Sequence, residues 1–482
     1  MMARRQCEGL KRTSQAGPAH FGRRLRMQGG SRDDGARRPC AGLELTAWLA
    51  SASEALDAFA RDDTASDAEL FLGAERRLSL EHDASTGVST MNQGESAEAT
   101  ARVGGSARLG VLSLPADDAG GLSRLLEQAA RLATPGRALV LPSLSAEDTD
   151  LPTGPAALQP EAARRRMAHV IQSVVPRGSV VQAAVLTQSS TWRAVVRASG
   201  VRRARTEWRE DLFVRCETPR GAVVDAVSLP PDTDDTVFTP LRLRLAEAVD
   251  ALTGPMEPVD RSLPLVLRPA VAAPLAAGLI WLLRGDIAAA TPALARAAGR
   301  KVFPSVLGVV DAPDHPAGTR RVDVDDEGVP TTSLSLVEEG RLRGFLHAAD
   351  TAARLGAPLN GRGFRPAPGA PAPEAVNPFI VPASALALPA HHTELVARVE
   401  TFTTMSRPGV ITLVAGGWEV RDGQRVRRVA PVELELPVLE TFRALRDVGA
   451  DLTFFPTAEG CGTPTLVFPP LLATTSGEQA GG

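Results

Sequence analysis

Apolar residues recur at helical spacing from Leu43 to Ala60, with Leu45, Trp48, Leu49, Ala52 and Leu56 on one stripe. The first ordered region therefore opens near Gly42 with an amphipathic helix. Short β-type runs follow at 68–72 and 78–82, and then a polar stretch rich in Ser, Thr, Gly and Glu. A second amphipathic helix spans 122–132, where Leu122, Leu125, Leu126, Ala129 and Leu132 keep register and Pro135-Gly136 closes the segment. A Pro/Ala/Asp-rich connector runs from about Ser145 to Pro160. Beyond it the pattern predicts a helix at 161–175, antiparallel strands at 180–186, 192–196 and 212–216, and a helix at 241–252.

From Ser262 the pattern changes to short β-runs at 263–267, 306–310, 333–337, 410–415, 418–421 and 432–436, with helices at 348–355 and 439–448. Strands and helices do not alternate regularly, and no fixed-period repeat stands out. The expected fold class is therefore α+β: N-terminal α/β modules followed by a larger C-terminal domain of mostly antiparallel, barrel-like curved sheet with helices. The expected division is a basic tail at 1–41, an N-terminal domain at 42–144, a central domain at 160–255, a C-terminal domain at 262–472 and a flexible tail at 473–482. Glu327-Gly328, Glu339-Gly340 and Asp422-Gly423 fall between strand runs and read as turns in which glycine supplies positive φ.

Composition narrows the function classes. At 482 residues the chain has room for two or three domains, and 44% hydrophobic with 23% charged residues is ordinary for a soluble globular protein. A formal charge of −3 argues against a protein built around phosphate backbones. The balance is uneven, however. Arg4, Arg5, Lys11, Arg12, Arg23, Arg24, Arg26, Arg32, Arg37 and Arg38 face only Glu8, Asp33 and Asp34 in the tail, which reads as a disordered extension lacking the apolar core of a secretory signal. Cys7, Cys40, Cys216 and Cys461 show no CxxC spacing, which fits a reducing cytoplasm, and no stretch reaches about 20 uninterrupted apolar residues.

The C-terminal motifs go further. Val322-Asp-Val-Asp-Asp-Glu-Gly-Val-Pro330 precedes Leu334-Ser-Leu-Val-Glu-Glu-Gly-Arg-Leu342, then Thr351-Ala-Ala-Arg-Leu-Gly356 and Asn360-Gly-Arg-Gly-Phe-Arg365. In order and spacing this resembles the C-terminal domain of the TldD/PmbA family, also called modulators of DNA gyrase. The helix running to Val448-Gly-Ala-Asp-Leu452 and the closing Gly460-Cys-Gly462 before Pro464 extend the resemblance. Its motif positions here include Asp325, Asp326, Glu327, Gly328, Gly340, Gly361, Arg365 and Cys461. Read from the residues alone, Asp323, Asp325, Asp326 and Glu327 form a solvated acidic turn whose carboxylates face water, with a metal-binding role as the alternative.

In the catalytic branch of the family, the resemblance implies zinc-dependent peptide hydrolysis. A helical His-Glu-x-x-x-His supplies two ligands and a general base, and a downstream cysteine adds a ligand. Anchored on Gly285-Asp286, that motif falls on Ala276, Ala277 and Trp281, none of which binds zinc, and no histidine lies between His169 and His315. Cys461 stands at the third ligand position. His391-His392 with Glu394 reads as a polar helix start, His347 as a structural or surface histidine and His315 as a loop residue. The resemblance thus implies a PmbA/TldE-like subunit that binds no cofactor itself. It would pair with a TldD-like zinc-bearing subunit to process small or unfolded peptides in the cytoplasm, without membrane or nucleic-acid partners. The alternative is a stand-alone regulatory or peptide-binding pseudoenzyme of the same fold.

Overall fold

The computed structural model describes residues 45–470 apart from segments at 63–66, 85, 106, 116–120, 146–154, 175, 177–179, 230–234, 366–368, 408 and 457–460. The basic tail, the closing tail, Cys7, Cys40, most of the connector and the first part of the Pro/Ala-rich loop 366–373 lie outside the described residues.

The first half of the chain runs α1 (Leu45–Asp62), β1 (Asp67–Asp83), β2 (Val88–Gly104), β3 (Arg108–Pro115), α2 (Leu122–Arg131) and β4 (Thr134–Pro135). It continues with α3 (Pro160–His169), β5 (Val180–Arg197), β6 (Arg202–Thr218), β7 (Gly221–Ser228) and α4 (Phe238–Ala251). The two helices predicted around the first core form as the stripe requires: Trp48, Ala52 and Leu56 of α1 and Leu122, Leu125, Leu126 and Ala129 of α2 are buried together against β1, β2 and β5. Full burial of each large apolar side chain contributes about 1.5–3 kcal/mol. The runs at 68–72 and 78–82 prove to be one 17-residue strand, β1. The polar stretch after it is a second strand, β2, which shows little hydrophobic alternation because its first half is exposed. The helix expected at 161–175 is α-helical only to His169, with a π-helical turn at Val170–Val174.

The C-terminal half comprises β8 (Leu265–Leu267), α5 (Pro269–Leu282), α6 (Gly285–Ala290), α7 (Pro292–Ala295), β9 (Val309–Asp311), β10 (Leu334–Glu338) and β11 (Arg341–Leu342). Then come α8 (Ala349–Leu355), β12 (Gly363–Phe364), β13 (Ala372–Pro373), β14 (Pro378–Ile380), β15 (His391–Arg407), β16 (Val410–Arg421) and β17 (Gln424–Pro437). The described chain closes with α9 (Val438–Arg443), β18 (Asp447–Val448), β19 (Thr453–Phe454), β20 (Gly462–Thr463) and β21 (Leu466–Phe468). The helix expected at 439–448 stops at Arg443, and residues 447–448 pair with β21 instead. His391-His392 opens strand β15 and not a helix, so a polar start of alternating side chains was misread as a cap.

The two hairpins that the Glu-Gly and Asp-Gly pairs predict both form. Glu339 (φ 48°) with Gly340 (φ 74°) joins β10 to β11, and Asp422 (φ 47°) with Gly423 (φ 76°) joins β16 to β17. Positive φ at both central residues is the type I′ geometry, whose twist matches that of paired strands.

The architecture is α+β with large, mainly antiparallel sheets. One sheet of 13 strands runs β18-β21-β8-β15-β7-β6-β5-β1-β2-β3-β4, with β16 and β17 continuing from β15. β1 pairs with β5 from Glu69↔Arg197 to Asp83↔Ala183, so the strands on either side of the 145–160 connector share a single ladder. β15 then joins this sheet to the C-terminal half through β7, at Val399↔Val223. Among the described residues the sheet is not closed, with β4, β17 and β18 at its edges, which corrects the barrel-like expectation: no described strand pairs these edges together. A second sheet, β11-β10-β9-β14-β20-β19, lies across the C-terminal core.

Candidate functional site

Two places carry the residues singled out by the sequence. The first is α5, where the resemblance puts the lost metal ligands. This helix is apolar all round because it is enclosed on several sides, packing on β15, β16, β20 and α9. Ala276 is fully buried, whereas Ala277 and Trp281 are half-buried against the same core. β20 lies beside α5, and Cys461, immediately before β20, is fully buried in that core with its Sγ 3.7 Å from the Gly462 carbonyl. The fold thus places α5 and the cysteine in one apolar core. A catalytic zinc takes three protein ligands, and the two alanines and the tryptophan at the positions the resemblance points to supply none, so the residues present do not fit the ion. Among the described residues no group of three His, Cys, Asp or Glu side chains is placed to hold a metal.

The remaining histidines sit elsewhere. His391 Nε2 lies 2.8 Å from Glu419 Oε1, and buried His392 has its Nδ1 2.6 Å from the Pro389 carbonyl. His347 is buried beside Thr351, 3.3 Å away, and burial depresses its pKa. His315 stacks at an angle on Phe379 and Phe454.

The second place is the acidic turn, and here the sequence reading is overturned. Asp325, Asp326 and Glu327 are 3, 2 and 1% exposed, and only Asp323 of the four faces water. The turn is pressed onto the face of the β1–β2–β5–β6 sheet, where arginines replace the expected water. Arg193 Nη1 donates to Asp326 Oδ2 at 2.7 Å, and Arg205 Nη2 to Asp326 Oδ1 at 2.9 Å. Arg197 Nη2 donates to the Glu327 carbonyl at 2.7 Å, and Arg102 lies 3.4 Å from the Glu327 carboxylate. Asp325 instead accepts from backbone: the N–H groups of Glu327 and Val329 bond its Oδ1, and that of Gly363 bonds its Oδ2.

A second carboxylate, Glu69 of β1, completes the junction. It is fully buried and bonded by Arg102, Arg197 (Nε, 3.0 Å) and the C-terminal Arg365 (Nη2, 2.6 Å). Burial alone would raise its pKa, but the three guanidinium groups outweigh this and hold it at about 2. Asp326 is likewise held low against burial, by Arg193 and Arg205. Burial, reinforced by neighbouring Glu327, pushes Asp325 up to about 7 despite its backbone donors. Burial also raises Glu327 and lowers Arg365 to about 10.

The motif glycines serve this junction. Gly328 has φ 77° at the turn, and a Cβ there would lie 3.1 Å from Arg203, Leu144 and Val195 side-chain atoms. Gly361, φ 68°, lets the chain pass the Pro330 carbonyl, which a Cβ would approach to 2.2 Å. Gly340 sits in the β10–β11 hairpin, away from the junction.

The arginines and glutamates on the sheet side (Glu69, Arg102, Arg193, Arg197, Arg205 and Glu207) were missed because charged residues at alternate strand positions normally face solvent. The available signal was Glu69 lodged within Ala68–Leu72 and Arg193 within Trp192–Val196, runs otherwise apolar.

At the edge of the junction lies a cleft of about 170 Å³. Glu75, Ser189, Thr191, Arg193, Glu207 and Arg209 line it from the sheet, and Arg320, Phe364, Arg365 and Glu374 from the C-terminal loops. Arg320 stacks on Phe364, 5.2 Å from its ring centre, and its Nε donates to Glu207 at 2.6 Å.

Comparison with known proteins agrees with this architecture. Residues 260–474 match the PmbA/TldA metallopeptidase C-terminal domain. No curated protein matches the chain. Among solved structures, TldE from Thermococcus kodakarensis superposes with a TM-score of 0.72 at 19% identity, over 87% of this chain and 98% of that one. A protein described as a modulator of a DNA gyrase from Thermotoga maritima gives 0.68 at 16% identity, over 87% and 99%. One similarly described from Bacteroides thetaiotaomicron gives 0.67 at 13%, over 88% and 97%. Residues 260–474 thus carry the PmbA/TldA metallopeptidase C-terminal domain, and the chain shares its fold with these structures over nearly their full length.

Proposed function

We propose that this chain is the non-catalytic, TldE-like subunit of a heterodimeric TldD/TldE-type metallopeptidase that degrades or matures small or unfolded peptides. The observation carrying this reading is α5. The fold of a metallopeptidase family is retained, while Ala276, Ala277 and Trp281 leave the helix without a ligand or a base beside Cys461. The chain would supply wall and interface to a TldD-like partner that binds the zinc, and would hold none itself. Its place of action on this reading is the cytoplasm, with neither membrane nor nucleic acid as partner.

The test is reconstitution. The tagged chain is mixed with a TldD-like subunit bearing His-Glu-x-x-x-His, and assembly is followed by light scattering, zinc by elemental analysis and cleavage by mass spectrometry of an unstructured peptide. A one-to-one complex that cleaves, beside an isolated chain that is zinc-poor and inactive, is the expected outcome. Stoichiometric zinc and hydrolysis by the isolated chain would overturn the proposal. Failure to assemble would leave the stand-alone pseudoenzyme as the better reading.

A further inference from the structure

The 170 Å³ cleft is well above the roughly 10–15 Å³ that a single water needs, and below the roughly 300 Å³ at which pockets for drug-sized molecules begin. It is sized for the end of a ligand. Its walls are built from buried charged groups, with Glu207, Arg320 and Arg365 exposed by only 8, 6 and 3%. None of its lining residues comes from α5.

The chemistry of the cleft is an excess of donors. Each guanidinium offers five N–H groups, and one carboxylate accepts from two of them side by side. Among the described residues, Arg193 bonds protein acceptors through Nη1, to Asp326 and the Arg365 carbonyl. Arg209 bonds through Nη2, to Asp211 at 3.2 Å. The Nε groups of Arg209 and Arg365 are both buried and lack an acceptor among the described residues. The hydroxyls of Ser189 and Thr191 add further donors on the sheet side. Such a donor set is complementary to an oxyanion. Glu75, half-exposed on the same wall, is unfavourable to a dianion and favourable to an ammonium.

From these features we infer that the cleft is a subsite for the terminal carboxylate of a peptide or free amino acid. The choice of a peptide end over other carboxylates rests on the peptide-handling function proposed above. The binding test uses the isolated chain, so its failure leaves the reconstitution experiment untouched, and the reverse also holds.

Titration calorimetry on the full chain would compare triglycine, triglycine amide and inorganic phosphate, each with the native chain and with Arg209→Gln. Arg209 pairs with Asp211, itself partly exposed, so the substitution should leave the melting temperature unchanged. Triglycine is expected to bind, the amide about tenfold or more weaker, and Arg209→Gln to weaken triglycine by a similar factor, since losing a charge-assisted pair costs at least the roughly 1.4 kcal/mol that corresponds to tenfold. Glu75→Gln removes a like charge from the same wall and should tighten N-acetyl-triglycine, a second readout independent of Arg209. Equal binding of acid and amide, tighter binding of phosphate than of triglycine, or no binding of any probe would each overturn the inference.

Discussion

Glu69→Gln tests the junction directly. The carboxylate is fully buried and joins Arg102 of β2 and Arg197 of β5 to Arg365 of the C-terminal domain, with the closest contacts at 2.7, 3.0 and 2.6 Å. Its pKa falls from 4.5 to about 2 on folding, because the arginines outweigh the cost of burial. A shift of about 2.5 units corresponds to about 3 kcal/mol at neutral pH. Breaking a buried pair from one side costs about 3–5 kcal/mol, since uncompensated cations remain inside, so the two magnitudes agree. The sign follows from the depressed pKa. The stabilisation is complete above the unfolded value near 4.5 and is lost as pH falls from there towards 2. Urea unfolding followed by tryptophan fluorescence should therefore show Glu69→Gln less stable than the native chain by about 3 kcal/mol at pH 7, with the gap narrowing at pH 3. A gap under about 1 kcal/mol at pH 7, or one that does not change with pH, would refute the reasoning.

Other substitutions probe the same region. Asp325 behaves oppositely to Glu69: its pKa is raised to about 7, so the folded state holds a proton that the unfolded state releases, and Asp325 costs progressively more stability as pH rises from about 4 to 7. The stability advantage of the native chain over Asp325→Asn should accordingly shrink between pH 5 and pH 8 in the same urea assay. Gly361→Ala forces a Cβ to 2.2 Å from the Pro330 carbonyl at φ 68° and should lower stability by about 3 kcal/mol or more, measured by calorimetry. Gly423→Ala, at φ 76° with open space around it, should cost only about 1–2 kcal/mol in the same measurement. Cys216, pushed up to about 11 by burial, and the fully buried Cys461 should resist iodoacetamide at pH 8 until the chain is denatured, as read by mass spectrometry of alkylated peptides.

Local signals carried what they physically encode. The stripes through Trp48–Leu56 and Leu122–Ala129 placed two helices, because burying one face requires apolar residues every three to four positions. The Glu339-Gly340 and Asp422-Gly423 pairs placed two tight hairpins, because few residues tolerate positive φ. β2 was missed for the converse reason: its exposed half keeps only backbone pairing with β1, and that leaves no mark in hydrophobicity. The motif series from Asp323 to Arg365 was legible as a series, yet its environment was not.

The sequence by itself determined the two amphipathic helices of the first core, the Glu-Gly and Asp-Gly hairpins and the order of the C-terminal motifs. Tertiary structure alone decided that Asp325, Asp326 and Glu327 are buried, that the described strands of the large sheet do not close, and that a donor-rich cleft forms at the junction. Whether a carboxylate meets water or a guanidinium depends on partners such as Glu69 and Arg365, which lie 296 residues apart. Side-chain charge is a local property, whereas its compensation is set by which distant strands and loops pack together.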